Sequence, residues 1–220
     1  MQQLKKAAAI AAFIIFAGML IHNLNAQVLE PYTLGFEDKG KDYADMAKIE
    51  NALWSFSFTS SGITHIVVGF AMLIVGLYLS EMFRLATPIA ARLVFIAALL
   101  SGLGFMLTGI SDIPGTVYAG LLRGMNPEYN TNILLMTTIF RGMVNILAVI
   151  GLGWFAGMVA WCGKYTDGFS KGFRILGWIN VLPGIMSLIF PPAGFSYLLL
   201  LPIWILWLGL RIRALPAPAA

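Results

Sequence analysis

The 220 residues are 59% hydrophobic and 11% charged, with a mean hydropathy of +0.84, outside the composition of soluble domains, so the chain reads as one integral membrane domain over 1–220. The formal net charge of +4 does not point to nucleic acid, because the cations are spread among the connections between apolar runs instead of forming one patch. The single cysteine, Cys162, excludes an internal disulfide and any multi-cysteine zinc or iron–sulfur site.

Lys5 and Lys6 precede an apolar run that ends in His22-Asn23-Leu24-Asn25-Ala26-Gln27. Residues 7–27 therefore read as a first membrane helix. The same order of charged, apolar and small residues also fits a signal peptide cleaved after Ala26. Residues 28–55 form an extracytoplasmic loop in which Glu30, Glu37, Asp38, Asp42, Asp45 and Glu50 outnumber Lys39, Lys41 and Lys48. No EF-hand spacing is present, so these acids read as a solvated face. Met46, Ile49 and Leu53 recur on one helical side and predict a short surface helix over 42–54.

Spans over 56–80 and 88–112 follow, joined by Glu81-Met82-Phe83-Arg84. Gly62, Gly69 and Gly76 stand seven residues apart and predict a smooth stripe where another helix approaches closely. The outward end of 56–80 collects Thr59, Ser60, Ser61, Thr64 and His65, while Gly104, Thr108 and Asp112 recur at helical spacing along 88–112. Residues 113–130 are too short and glycine-rich to cross a bilayer. They predict an outward interfacial or re-entrant segment closed by the turn Asn126-Pro127-Glu128.

The span over 131–162 carries Arg141 about three turns into an apolar run, and the i, i+4, i+8 spacing puts Thr137, Arg141 and Asn145 on one face. Spans over 172–190 and 195–212 complete the set, with Pro183 and Pro202 as expected kink points. The predicted fold is all-α: a polytopic membrane bundle of six transmembrane helices. Lys5, Lys6, Arg84, Arg92, Lys164, Lys171, Arg174, Arg211 and Arg213 fall on one side against Glu81 and Asp167, so the positive-inside rule puts both termini in the cytoplasm.

Alternating span direction brings His22, His65, Asp112 and Arg141 from four helices into one leaflet. The plain reading is a structural Arg141–Asp112 pair with hydrated histidines. The functional reading is an outward polar pocket lined by Arg141, Asp112, Asn145, His65 and Thr137, where the guanidinium fork meets a carboxylate, phosphate or quinone oxygen of a small amphipathic ligand. A protein of that kind can also serve as an accessory subunit of a membrane complex.

Two alternatives stand beside these. In the first, His22, His65 and Asp112 form a two-histidine, one-carboxylate metal set, or the two histidines hold one haem in a membrane-embedded oxidoreductase or other enzyme acting on a lipophilic substrate. In the second, the bundle is a small-solute transporter, although the halves 1–112 and 113–220 show no inverted repeat. No cofactor is expected, with a single haem or metal ion as the alternative. The expected partners are the lipid bilayer, an amphipathic ligand, and further copies of the chain or a larger membrane complex.

The segments LYLSEMFRLATPIAARL (77–93), KGFRILGWINVLPGI (171–185) and SYLLLLPIWILWLGLRI (196–212), together with a first helix followed by a long outward loop, resemble a broad group of small six-span bacterial membrane proteins classed as a domain of unknown function. The resemblance runs over most of the chain from about Ser61. It implies a location in the bacterial cytoplasmic (inner) membrane and carries over no functional residue.

Overall fold

The computed structural model describes residues 1–29, 31–32, 35, 56–113, 127–190 and 200–215, with the side chains of 26–27, 56–60, 127–135 and 137–138 excepted. Most of the expected acidic loop, its surface helix over 42–54 and residues 114–126 of the expected interfacial segment lie outside that set. Every regular element among the described residues is helical. The helices are α1 (Gln2–Leu24, continued by a π-helical turn Asn25–Leu29), α2 (Phe56–Phe83), α3 (Pro88–Asp112), α4 (Pro127–Cys162), α5 (Lys171–Ile179), α6 (Val181–Met186) and α7 (Leu200–Ala214). Four stretches are long and apolar enough to cross a membrane: Gln2–Leu24, Ser61–Phe83, Pro88–Asp112 and Ile139–Cys162.

Two sequence expectations shift. Pro127 and Glu128, expected in a turn, open α4, where proline's fixed φ and missing N–H suit the first helical position. The expected span over 172–190 is two short helices, because Pro183 has no N–H for the carbonyl of Ile179 and its ring crowds that carbonyl. The break falls at Asn180, whose buried side-chain amide donates to the Leu176 carbonyl at 2.9 Å. Residues 191–199, with the start of the expected span over 195–212, lie outside the described set; among the described residues α5, α6 and α7 are each shorter than the four spanning stretches.

The helices form a ring in chain order, with α1 against α2, α2 against α3, α3 against α4, α4 against α5 and α6, and α7 closing onto α1 and α5. Neighbours run antiparallel. Along the α2–α3 seam the backbones nearly touch: a Cβ on Gly69 would lie 2.6 Å from the Gly102 carbonyl, and one on Gly102 would lie 2.8 Å from the Gly69 carbonyl. Gly62 and Gly109 meet one repeat further along, so the seven-residue glycine stripe on α2 packs on a matching one on α3.

We call the end of the bundle that holds residue 2, the α2–α3 turn and the close of α7 the proximal end. There Phe173 stacks on Trp204 with centroids 5.2 Å apart, Phe155 meets Trp204 edge-on at 6.1 Å, and Phe169 lies between Phe83 and Phe173 at 5.6 and 5.3 Å. Trp204 is fully buried and its indole N–H donates to the Phe173 carbonyl at 3.2 Å, which meets the need of a buried indole for a partner. Lys5 hydrogen-bonds the Leu215 carbonyl, joining the start of α1 to the end of α7.

Candidate functional site

The opposite, distal end is organised by a carboxylate. Asp112 is the last residue of α3, and its side chain is completely buried. Its two oxygens serve two different helices: Arg141 Nε of α4 lies 2.6 Å from Oδ1, and His65 Nδ1 of α2 lies 3.2 Å from Oδ2. Facing a carboxylate, which only accepts, Nδ1 is the donor of the His65 ring, and Nε2 is left to accept. The close approach that allows this contact is again glycine-dependent, since a Cβ on Gly62 would sit 3.1 Å from Asp112 Cβ.

Two rings fix the imidazole. Phe105 of α3 lies nearly parallel to His65, with centroids 6.1 Å apart and an interplanar angle of 11°. His22, near the end of α1, packs at 4.9 Å and 55°. The cluster thus draws on α1, α2, α3 and α4, joining His22, His65, Asp112 and Arg141 as the alternating spans required. The neighbouring hydroxyls satisfy themselves locally: Thr108 donates to the Gly104 carbonyl at 2.8 Å and Ser111 to the Leu107 carbonyl at 2.7 Å. These back-bonds remove their polarity from the site.

Of the two other candidates, Asn145 does not join. Asn145 is exposed, because each i+4 step along a helix drifts by roughly 40°; its neighbours Val144 and Ala148 are buried, and Ala148 packs on Gly104 of α3. Thr137 lies in α4, with its side chain outside the described set. Sequence reasoning missed Phe105, which carries no polar signal, and the α3 glycines Gly102 and Gly109. Their seven-residue spacing, matching that of α2, was present in the sequence.

The metal alternative can be tested on geometry. Among the described residues, no group of three or more His, Cys, Asp or Glu side chains is placed to hold a metal ion. His65 Nδ1 is engaged by Asp112. Two imidazoles binding one iron from opposite faces, each with a metal–nitrogen bond of about 2.0 Å, need centroids roughly 6 Å apart, whereas the His22 and His65 rings stand at 4.9 Å, too close for a porphyrin plane to lie between them.

What the arrangement offers is a guanidinium with 21% of its side chain exposed, anchored to a buried carboxylate that it shares with an imidazole. A ligand oxygen that competes for Arg141 would shift Asp112 toward His65. No protein-family model, curated protein or solved structure matches the chain.

Proposed function

We propose that the protein is a six-span integral protein of a bacterial cytoplasmic membrane, with both termini in the cytoplasm, and that its distal cluster binds a small anionic or polar amphipathic ligand at Arg141. The observation that carries the reading is the convergence of Asp112, His65 and Arg141 from three helices, in a bundle with four helices long and apolar enough to cross a membrane. Charged groups buried among apolar helices are costly, and in membrane proteins they mark ligand, ion or proton sites. The ligand's carboxylate, phosphate or carbonyl oxygen takes a place on the guanidinium beside Asp112. His65, held by Phe105, keeps its Nδ1–H on Asp112 Oδ2 and so holds that carboxylate in place. His22 closes the side of the site toward α1.

The orientation rests on the cations. Lys5, Arg84, Lys164, Lys171, Arg211 and Arg213 all lie at the proximal end, the end that the positive-inside rule puts in the cytoplasm. The fifth crossing is α5 with α6, and the sixth includes α7. Ala8, Ala11, Ala12 and Ile15 of α1 are buried, which supports α1 as a retained helix of the bundle.

The test removes both charges together. In Asp112→Leu/Arg141→Leu neither ion is left unpaired, so the bundle keeps its fold. Native mass spectrometry of the protein released gently from its own membrane is expected to show an added mass on the wild type that the folded double variant lacks. No added mass on the wild type, or the same mass on both, refutes the ligand site and leaves the pair as scaffolding.

A further inference from the structure

A second polar site lies at the opposite end of the bundle, away from the distal cluster. Where α4 ends and α5 begins, a cleft of about 310 Å³ is lined by Trp161, Lys164, Lys171, Arg174, Ile175 and Trp178. Three cations thus face one cavity, and among the described residues none of them has a carboxylate within ion-pair distance. Arg174 Nε is buried without a hydrogen-bond partner among the described residues. A buried guanidinium nitrogen left in that state is costly, and among the described residues no carboxylate meets it, so an anion in the cleft would satisfy it. Lys171 is also the first residue of α5, where the exposed N–H groups add partial positive charge.

The apolar half of the cleft narrows the choice of anion. Trp161, Trp178 and Ile175 are each about half exposed, and they continue from the cations onto the flank of the bundle beside the last turns of the spanning stretch Ile139–Cys162. Indoles at such a position suit the headgroup level of a bilayer, and basic clefts between helices on that side suit acidic headgroups. A free inorganic anion would use the cations and leave the indoles idle. We propose that this cleft is a binding site for an acidic glycerophospholipid, its phosphate held by Lys164, Lys171 and Arg174 and its upper acyl chain lying along Trp161, Ile175 and Trp178. The volume is of the size that holds a compact polar ligand. The assignment rests on the membrane-spanning part of the reading above and is independent of the distal cluster. Retention of the protein in carbonate-washed membranes tests that part separately.

The full-length protein in detergent micelles, titrated with dioleoylphosphatidylglycerol or dioleoylphosphatidylcholine and followed by native mass spectrometry, is expected to bind one phosphatidylglycerol at least tenfold more tightly than phosphatidylcholine. Lys164→Gln and Lys171→Gln alter exposed side chains and leave packing intact. Each is expected to weaken binding about 5-fold and the pair about 25-fold, from about 1 kcal/mol per cation. Arg211→Gln/Arg213→Gln, at the same end and outside the cleft, leaves the affinity unchanged. Equal binding of the two lipids, or equal losses in the two double variants, overturns the proposal. Binding of sn-glycerol 3-phosphate at the same lysines without preference for phosphatidylglycerol also overturns it, in favour of a soluble phosphate.

Discussion

At the proximal end the helices are joined by Phe83, Phe155, Phe169, Phe173 and Trp204, rings that need only shape and one indole hydrogen bond. At the distal end α2, α3 and α4 are joined through the two oxygens of Asp112. Between His65 and Phe83 lie 18 helical steps, roughly 27 Å at about 1.5 Å each, so the two ends are separate structural solutions on the same helices. An aromatic cluster tolerates small shifts, because dispersion falls off gradually and many atoms share it. A buried carboxylate between two donors does not, because a displaced partner leaves a charge in an apolar surrounding. The proposed function adds a second contrast, with bulk stability at the proximal end and the proposed ligand site at the distal one.

The largest effect should come from splitting the pair. Asp112→Leu leaves Arg141 without its carboxylate and is expected to cost about 3–5 kcal/mol, read as lost thermal stability in detergent. Arg141→Leu/Asp112→Leu should recover most of that loss. A double variant as unstable as the single one would mean that the ions stabilise the fold outright, and would erase the contrast between the ends.

Trp204→Ala comes next, toward the lower part of the about 3–5 kcal/mol range for a buried aromatic, since Phe155 and Phe173 can close part of the cavity. Its effect should add to that of Asp112→Leu within about 0.5 kcal/mol, as distant sites do. A larger coupling in the double-mutant cycle would show that the two ends communicate.

The sequence carried much of this and missed specific parts for physical reasons. The helices over 88–112 and 56–80 were legible because apolar runs bounded by Pro88 and by polar ends leave little choice of register. The distal cluster was legible because ionisable groups are rare in such runs, so His22, His65, Asp112 and Arg141 stood out and alternating directions placed them together. Asn145 was expected there because a row of i+4 positions looks straight on paper, while the row winds around the helix axis. The break at Asn180 was half legible: Pro183 announced a disturbance, but whether a helix bends or stops depends on how the turn before the proline is closed, here by the Asn180 side-chain amide on the Leu176 carbonyl. Phe105 was invisible, since one phenylalanine among 15 gives no sign of which neighbour it stacks on.

The α2–α3 seam spans the distance between the two ends, and Gly69→Ala tests it in the middle. The added methyl would lie 2.6 Å from the Gly102 carbonyl, inside contact distance with backbone that cannot rotate away. The helices must then part, at an expected cost of about 1–3 kcal/mol. Because parting α2 from α3 also draws His65 from Asp112, this variant is expected to lower the added mass that the proposed distal site holds in native mass spectrometry. Unchanged retention alongside lost stability would show that the distal cluster holds its geometry without the seam.

The smallest effect is expected from Thr87→Val. Thr87 Oγ1 donates to Cys162 Sγ at 3.3 Å and reaches the Phe83 carbonyl at 3.4 Å, so one hydroxyl touches α2, α3 and α4 beside the aromatic cluster. Both bonds are long, sulfur is a weak acceptor, and the residue is half-buried, so the swap to an isosteric apolar side chain removes little. The loss should stay below about 1 kcal/mol, a fall in Tm of under about 4 °C for a chain of this length. A fall as large as that of Trp204→Ala would mean that the proximal end, like the distal one, is held by a buried polar contact. The aromatic rings would then fill space around a bond that does the joining, and the two ends would be variants of one design.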